Sequence, residues 1–208
     1  MKVVLYGASG MLGSRILREL VDRGHPVTAV VRNPSRLNEP KVTVLQGDIL
    51  DEKSVIATGQ GAEVAISAYG PGPASPAILV RATTTLVSGL RQAGVRRFLM
   101  VGGAGSLDVA PGLRLVDTPN FPAEWRPISL AHADALEVLK TSDLDWTSVS
   151  PAALIQPGER TGTFRLGKDT LVTDSKGESR ISAEDFAAAL VDEVEKSRHI
   201  RQRFTVAY

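Results

Sequence analysis

The stretch Gly7-Ala-Ser-Gly10-Met-Leu-Gly13 constrains the fold of this chain more than any other. It follows Lys2–Tyr6 (KVVLY), a short β-branched run bounded by glycine that reads as a buried strand. Behind it, Ile16, Leu17, Leu20 and Val21 share one face of a helix expected from about Met11 to Arg23, stopped by Gly24. Strand, glycine turn and helix in that order leave unpaired N–H groups at the helix start, where phosphate charge is favoured. Gly7 permits the tight turn, Gly10 lets the backbone approach a pyrophosphate, and Gly13 lets helix and strand pack closely. A glycine turn without a ligand is the alternative; the buried strand before it and the periodic helix after it favour a dinucleotide site.

Beyond the loop, strand-like and helix-like segments alternate, which predicts an α/β fold: a Rossmann-type doubly wound parallel sheet. Strands are expected at 27–31, 42–46, 63–68, 98–101 and 146–149. Helices are expected after Asp51 as a cap, from the Ser75-Pro76 cap to near Gly94, and over Ser129–Lys140. In the last quarter, 161–173 reads as a small antiparallel excursion. Ser182-Ala-Glu-Asp185 reads as a capping box, and 203–208 as an edge strand. A chain of 208 residues suits one domain, 1–208, with 151–182 as a small substrate-side extension within it.

Bulk properties narrow the function classes. A formal charge of +1 gives no footprint for nucleic acid or an anionic membrane. No apolar run approaches the roughly 20 residues of a membrane helix, and the first residues do not read as a signal peptide. Zero cysteines exclude thiolate chemistry, and histidines scattered at 25, 132 and 199 predict no metal site. The expectation is a cytoplasmic enzyme or binding protein with a small-molecule partner, its oligomeric state open.

The end of the second strand separates the two nicotinamide cofactors. NAD binders usually carry an acid there for the ribose hydroxyls. This chain has Arg32, followed by Asn33, Ser35 and Arg36, a set suited to a 2′-phosphate; solvated surface arginines are the alternative. NADP(H) is therefore the expected cofactor, with NAD(H) possible. Asp48 and Ile49 are placed for the adenine ring, a helix cap being the alternative for Asp48.

Seven of the twelve prolines lie in 70–76 and 110–127, each after a strand's carboxyl end, where open α/β sheets place ligands. Stiff loops there suit a substrate pocket, though long connections are the alternative. Phe121 and Trp125 are candidates to stack on a substrate ring, or to pack the loop; Arg114 and Arg126 are candidates for a flavin phosphate, or are solvated.

Seven segments carry a family resemblance: GASGMLG (7–13), AVVRNPSRL (29–37), GDILD (47–51), VGGAGSL (101–107), LVDTPNFP (115–122), SPAALIQPGERTG (150–162) and GESRIS (177–182). On these the chain resembles atypical short-chain dehydrogenases of the NAD(P)H-binding, NADH-flavin reductase group. It is more distantly similar to NmrA-like and biliverdin reductase B proteins. The resemblance implies a Rossmann fold and NAD(P)H use. It places Gly7, Ser9, Gly10, Met11, Leu12 and Gly13 at the pyrophosphate, Arg32 and Arg36 at the adenosine phosphate, and Asp48-Ile49 at the adenine. Ser67, Ala68, Tyr69, Gly102 and Gly103 should lie at the nicotinamide end, with Pro151 and Ala152 beside the carboxamide.

One departure bears on the chemistry. Carbonyl-reducing short-chain dehydrogenases use Tyr-x-x-x-Lys as the proton source. The tyrosines here stand at 6, 69 and 208, none with lysine four residues on, and His132 holds the corresponding place. His132 is a candidate acid or a packed core histidine; Ser106 is a candidate for a substrate oxygen or a loop hydroxyl. Hydride transfer to a flavin such as FMN, or to a quinone, needs less proton assistance, because solvent can complete the reduction. The expected activity is an NADPH-preferring flavin or quinone reductase. The alternative is a non-catalytic NADP(H)-binding redox sensor.

Overall fold

The computed structural model describes residues 1–37, 39–71 and 75–208, with the side chain of Arg36 outside the described part. Its centre is an eight-stranded sheet built from β1 (Val3–Tyr6), β2 (Val27–Val31), β3 (Val42–Gln46), β4 (Val64–Ser67) and β5 (Arg97–Val101) together with three later strands. Two short strands, β6 (Asp108–Ala110) and β7 (Leu113–Arg114), form a separate hairpin. β8 (Asp145–Ser150) returns to the sheet, β9 (Leu154–Gln156) leaves it, and β10 (Arg165–Gly167) lies at its edge. β11 (Arg180–Ser182) pairs with β9, and β12 (Gln202–Ala207) rejoins the sheet. The order is β10-β12-β8-β5-β4-β1-β2-β3, parallel throughout except for β10. Winding reverses between β1 and β4, the place where such sheets open a crevice for ligands.

The helices are α1 (Met11–Asp22), α2 (Glu52–Gly59), α3 (Ala77–Gln92), α4 (Arg126–Lys140) and α5 (Ala183–Lys196). Ile16, Leu17 and Leu20 of α1 join Phe186, Leu190 and Val194 of α5 in a core on one sheet face. Val55, Leu86, Leu90, Leu136 and Leu139 from α2, α3 and α4 form the core on the other. Strands covered on both faces need near-continuous apolar runs, which is why VVLY, VAIS and RFLMV are buried along their whole lengths.

Three boundaries differ from the sequence expectation. Residues 203–208 do not form an edge, because β10 covers β12 antiparallel while β8 holds its other side. Ser75 does not cap α3; Pro76 occupies that position and no side chain bonds the first amides. Helix α4 begins at Arg126 rather than Ser129, since Pro127 fits the first turn, where no N–H is required. Asp51 caps α2 as read, accepting from Lys53 N at 3.1 Å. Of the expected capping box only the Ser182 half forms, accepting from Asp185 N at 3.0 Å. Ser182 N donates instead to the Tyr208 hydroxyl, and the Asp185 carboxylate is taken by Thr161, Gly162 and Tyr208. Among the described residues no helix is long and apolar enough to cross a membrane.

Candidate active site

The glycine loop is built around two close approaches. Gly7 has φ of +81°, and a Cβ on it would sit 2.8 Å from the Ala68 carbonyl carbon. A Cβ on Gly13 would fall 2.0 Å from the Gly7 oxygen, so only glycine lets α1 start this near the loop. The backbone of Gly10 caps α1, with no side chain bonded to its amides and no acid in its first turn. Helix α5, by contrast, carries Ser182, Glu184 and Asp185 at its start. The first hydrogen bond of α1 runs from Ser14 N to Gly10 O at 2.9 Å, so the amides before it face the loop as an anion cradle.

A cavity of about 230 Å³ opens beside this cradle at the carboxyl ends of β1 to β4, lined by Ser9, Gly10, Arg32, Asp48, Ile49 and Tyr69 among others. Asp48 Oδ1 accepts from Leu50 N at 2.9 Å, which fixes its carboxylate in the turn. The Ser35 hydroxyl is committed to its own turn, donating to Asn33 Oδ1 at 2.8 Å. Ala68 and Tyr69 line this cavity too. Burial raises the pKa of the Tyr69 hydroxyl above its ordinary value; Arg32 opposes this and Asp48 adds to it. Ser67 is buried at the end of β4.

A second cavity, of about 590 Å³, lies at the carboxyl ends of β5 and β8. Phe121, Trp125, Pro151 and Ala152 all line it, together with Asn120 and Ser129. Gly102 and Gly103 form the bend above β5. Gly102 is packed on the hydroxyls of Ser148 and Ser150, and Gly103 on the His132 ring. The guanidinium of Arg126 stands 6.0 Å from the Phe121 ring centroid. Arg114 is forked onto Asp117 at 2.6 and 3.2 Å, so its charge is already matched.

Ser106 is not in this cavity. Its hydroxyl accepts from Arg203 at 2.8 Å and its carbonyl from the same group at 3.2 Å, and Arg203 is held in turn by Asp169. The hydroxyl-bearing residues that line the cavity are Thr118 and Ser129, the latter one turn into α4. His132 stands one turn further on, with Nδ1 buried and unpartnered. Burial pulls its imidazole down to about 4, so near neutral pH the ring is uncharged. Loss of the usual tyrosine is thus not offset by a charged histidine.

A family model described as NAD(P)H-binding matches residues 7–197. The chain belongs to this NAD(P)H-binding family. It is similar to YwnB of Bacillus subtilis, 41% identical over 99% of this chain and 98% of the relative. Among solved structures, a Burkholderia pseudomallei protein described as exported is 50% identical over the whole of both chains, with a TM-score of 0.92. A Streptococcus pneumoniae protein described as a candidate NADH-flavin reductase is 37% identical over 100% of this chain and 99% of its own, with a TM-score of 0.89. The glycine loop fits the nicotinamide dinucleotide this family binds: the first turn of α1 has no side-chain cap and no acid, and a Cβ on Gly10 would meet only the Gly7 oxygen, at 3.4 Å.

In this NAD(P)H-binding protein, the family-like segment PGERTG (157–162) turns out to be a latch. Arg160 donates to both Glu19 carboxylate oxygens at 2.7 Å, and Arg23 joins the same group. Thr161, Gly162 N and Tyr208 all donate to Asp185, at 2.6, 2.7 and 2.8 Å. Gly158 N donates to Glu184 at 2.7 Å. These bonds tie the segment after β9 onto α1 and α5. Sequence reasoning missed this role because every partner lies far along the chain.

Proposed function

We propose that this protein is an NADPH-preferring oxidoreductase that reduces an aromatic acceptor of the flavin or quinone class. The observation that carries the reading is the second cavity, walled by Phe121 and Trp125 beside strands that continue the dinucleotide-binding edge. Bound NADPH would supply a hydride, two electrons and one hydrogen nucleus, to the acceptor ring and leave as NADP⁺. The chain's own part is to hold the two rings in contact, because proximity and orientation suffice for electrophilic acceptors. Neutral His132 matches a reaction whose remaining proton comes from water. Arg32 at the end of β2, with no acid in that place, supports NADPH over NADH. The similarity to a candidate NADH-flavin reductase agrees with the acceptor class.

The test is the loss of NADPH absorbance as riboflavin, FMN and a small quinone are added in turn. Saturable oxidation is expected with at least one. Tight NADPH binding without oxidation of any would replace the reductase with a cofactor-occupancy sensor.

A further inference from the structure

The two cavities differ in one chemical respect. The first carries Arg32 and Asp48, whereas none of the fourteen residues lining the second has an ionisable side chain. Around it, Arg114 is forked onto Asp117, and Arg126, which does not line the cavity, stands 6.0 Å from the Phe121 ring centroid. Of its polar side chains, Thr118 donates to Leu115 O at 2.7 Å. Asn120 and Ser129 also line it, and among the described residues neither side chain has a hydrogen-bond partner. Ser129 is packed against Gly105, where a Cβ would come within 2.6 Å of its own.

We propose that this cavity selects an uncharged planar aromatic acceptor and discriminates against the same ring bearing a phosphate or sulfonate. The inference rests on the reductase reading for the word acceptor, though not for the binding preference. An anionic group brought among Phe121, Trp125, Leu154 and Ile155 would lose water without gaining a cation from the lining residues. Carbonyl or imide edges, in contrast, match the free amide of Asn120 and hydroxyl of Ser129.

The experiment uses matched pairs: riboflavin with FMN, and 1,2-naphthoquinone with its 4-sulfonate. Binding to the NADP⁺-loaded protein is titrated by fluorescence, and turnover is followed with NADPH. The uncharged member of each pair is expected to bind about tenfold or more tighter. Leu154→Arg, at a wall position 53% exposed where a long side chain is tolerated, should narrow or invert the preference. Arg126→Gln should leave the ratio unchanged. Equal or tighter binding of the anionic members overturns the proposal, as does failure of both pairs to bind. Turnover without the preference would sink this inference and leave the reductase standing. The preference without turnover would support the inference and sink the reductase.

Discussion

Gly103 lies so close to His132 that a Cβ on the glycine would come 2.8 Å from the histidine Cβ and 3.0 Å from its Cγ. The bend after β5 and the fourth helix therefore meet through an imidazole pressed onto bare backbone, and the contact helps to keep water from that ring. Burial without a partner for Nδ1 explains why the ring stays neutral.

This makes His132 a source of acid sensitivity. Its folded pKa, about 4, lies below the ordinary value of 6.5, so the unfolded chain binds the extra proton first. Stability is full above about pH 6.5 and falls as pH drops toward 4. At 1.36 kcal/mol per pKa unit, roughly 2 kcal/mol should be lost between pH 6.5 and 5. Urea unfolding of the protein and of His132→Leu at pH 7.5 and pH 5 checks this: the variant should lose about 2 kcal/mol less than the parent over that interval.

The same variant separates packing from proton transfer. His132→Leu should change flavin or quinone turnover by less than about tenfold. A loss of about 100-fold, the low end for removal of a general acid, would assign the proton to the histidine.

Arg32→Ala should weaken NADPH by about 1–3 kcal/mol while NADH changes little, as for loss of a charge-assisted contact to one phosphate. Titration with both cofactors reads the result. Equal losses would remove the 2′-phosphate assignment.

Gly13→Ala places a methyl group 2.0 Å from the Gly7 oxygen, so the loop and the start of α1 must part. The expected outcome is loss of dinucleotide binding, with destabilisation of about 1–3 kcal/mol as for overpacking. Cofactor titration and thermal melts together check it; wild-type affinity would show that the close approach is dispensable.

Asp185 is fully buried, yet the hydrogen bonds from Thr161, Gly162 and Tyr208 outweigh the upward push of burial and hold its carboxyl below the ordinary carboxylate range. Asp185→Ala should cost about 2–4 kcal/mol, since charged hydrogen bonds are lost and buried donors are stranded. Limited proteolysis should then cut within 156–163, and acceptor KM should rise more than NADPH affinity falls. An uncut loop would mean that the Arg160–Glu19 and Gly158–Glu184 bonds hold the latch without Asp185.

The sequence by itself determined the features whose physical causes are local. The glycine loop, the buried strands and the caps at Asp51 and Ser182 each depend on residues within a turn or a strand of one another, so spacing reveals them. The doubly wound class follows from their alternation. Tertiary structure alone decided who meets whom at the site. Arg203 claims Ser106 from 97 positions away, and Arg160 finds Glu19 across 141. Tyr69, Arg32 and Asp48 line one cavity because β4, β1, β2 and β3 lie side by side in the sheet. Neutrality at His132 is likewise a product of burial, which no spacing in the chain encodes. Strand order sets these meetings, and it is fixed by the packing of two cores rather than by any local pattern.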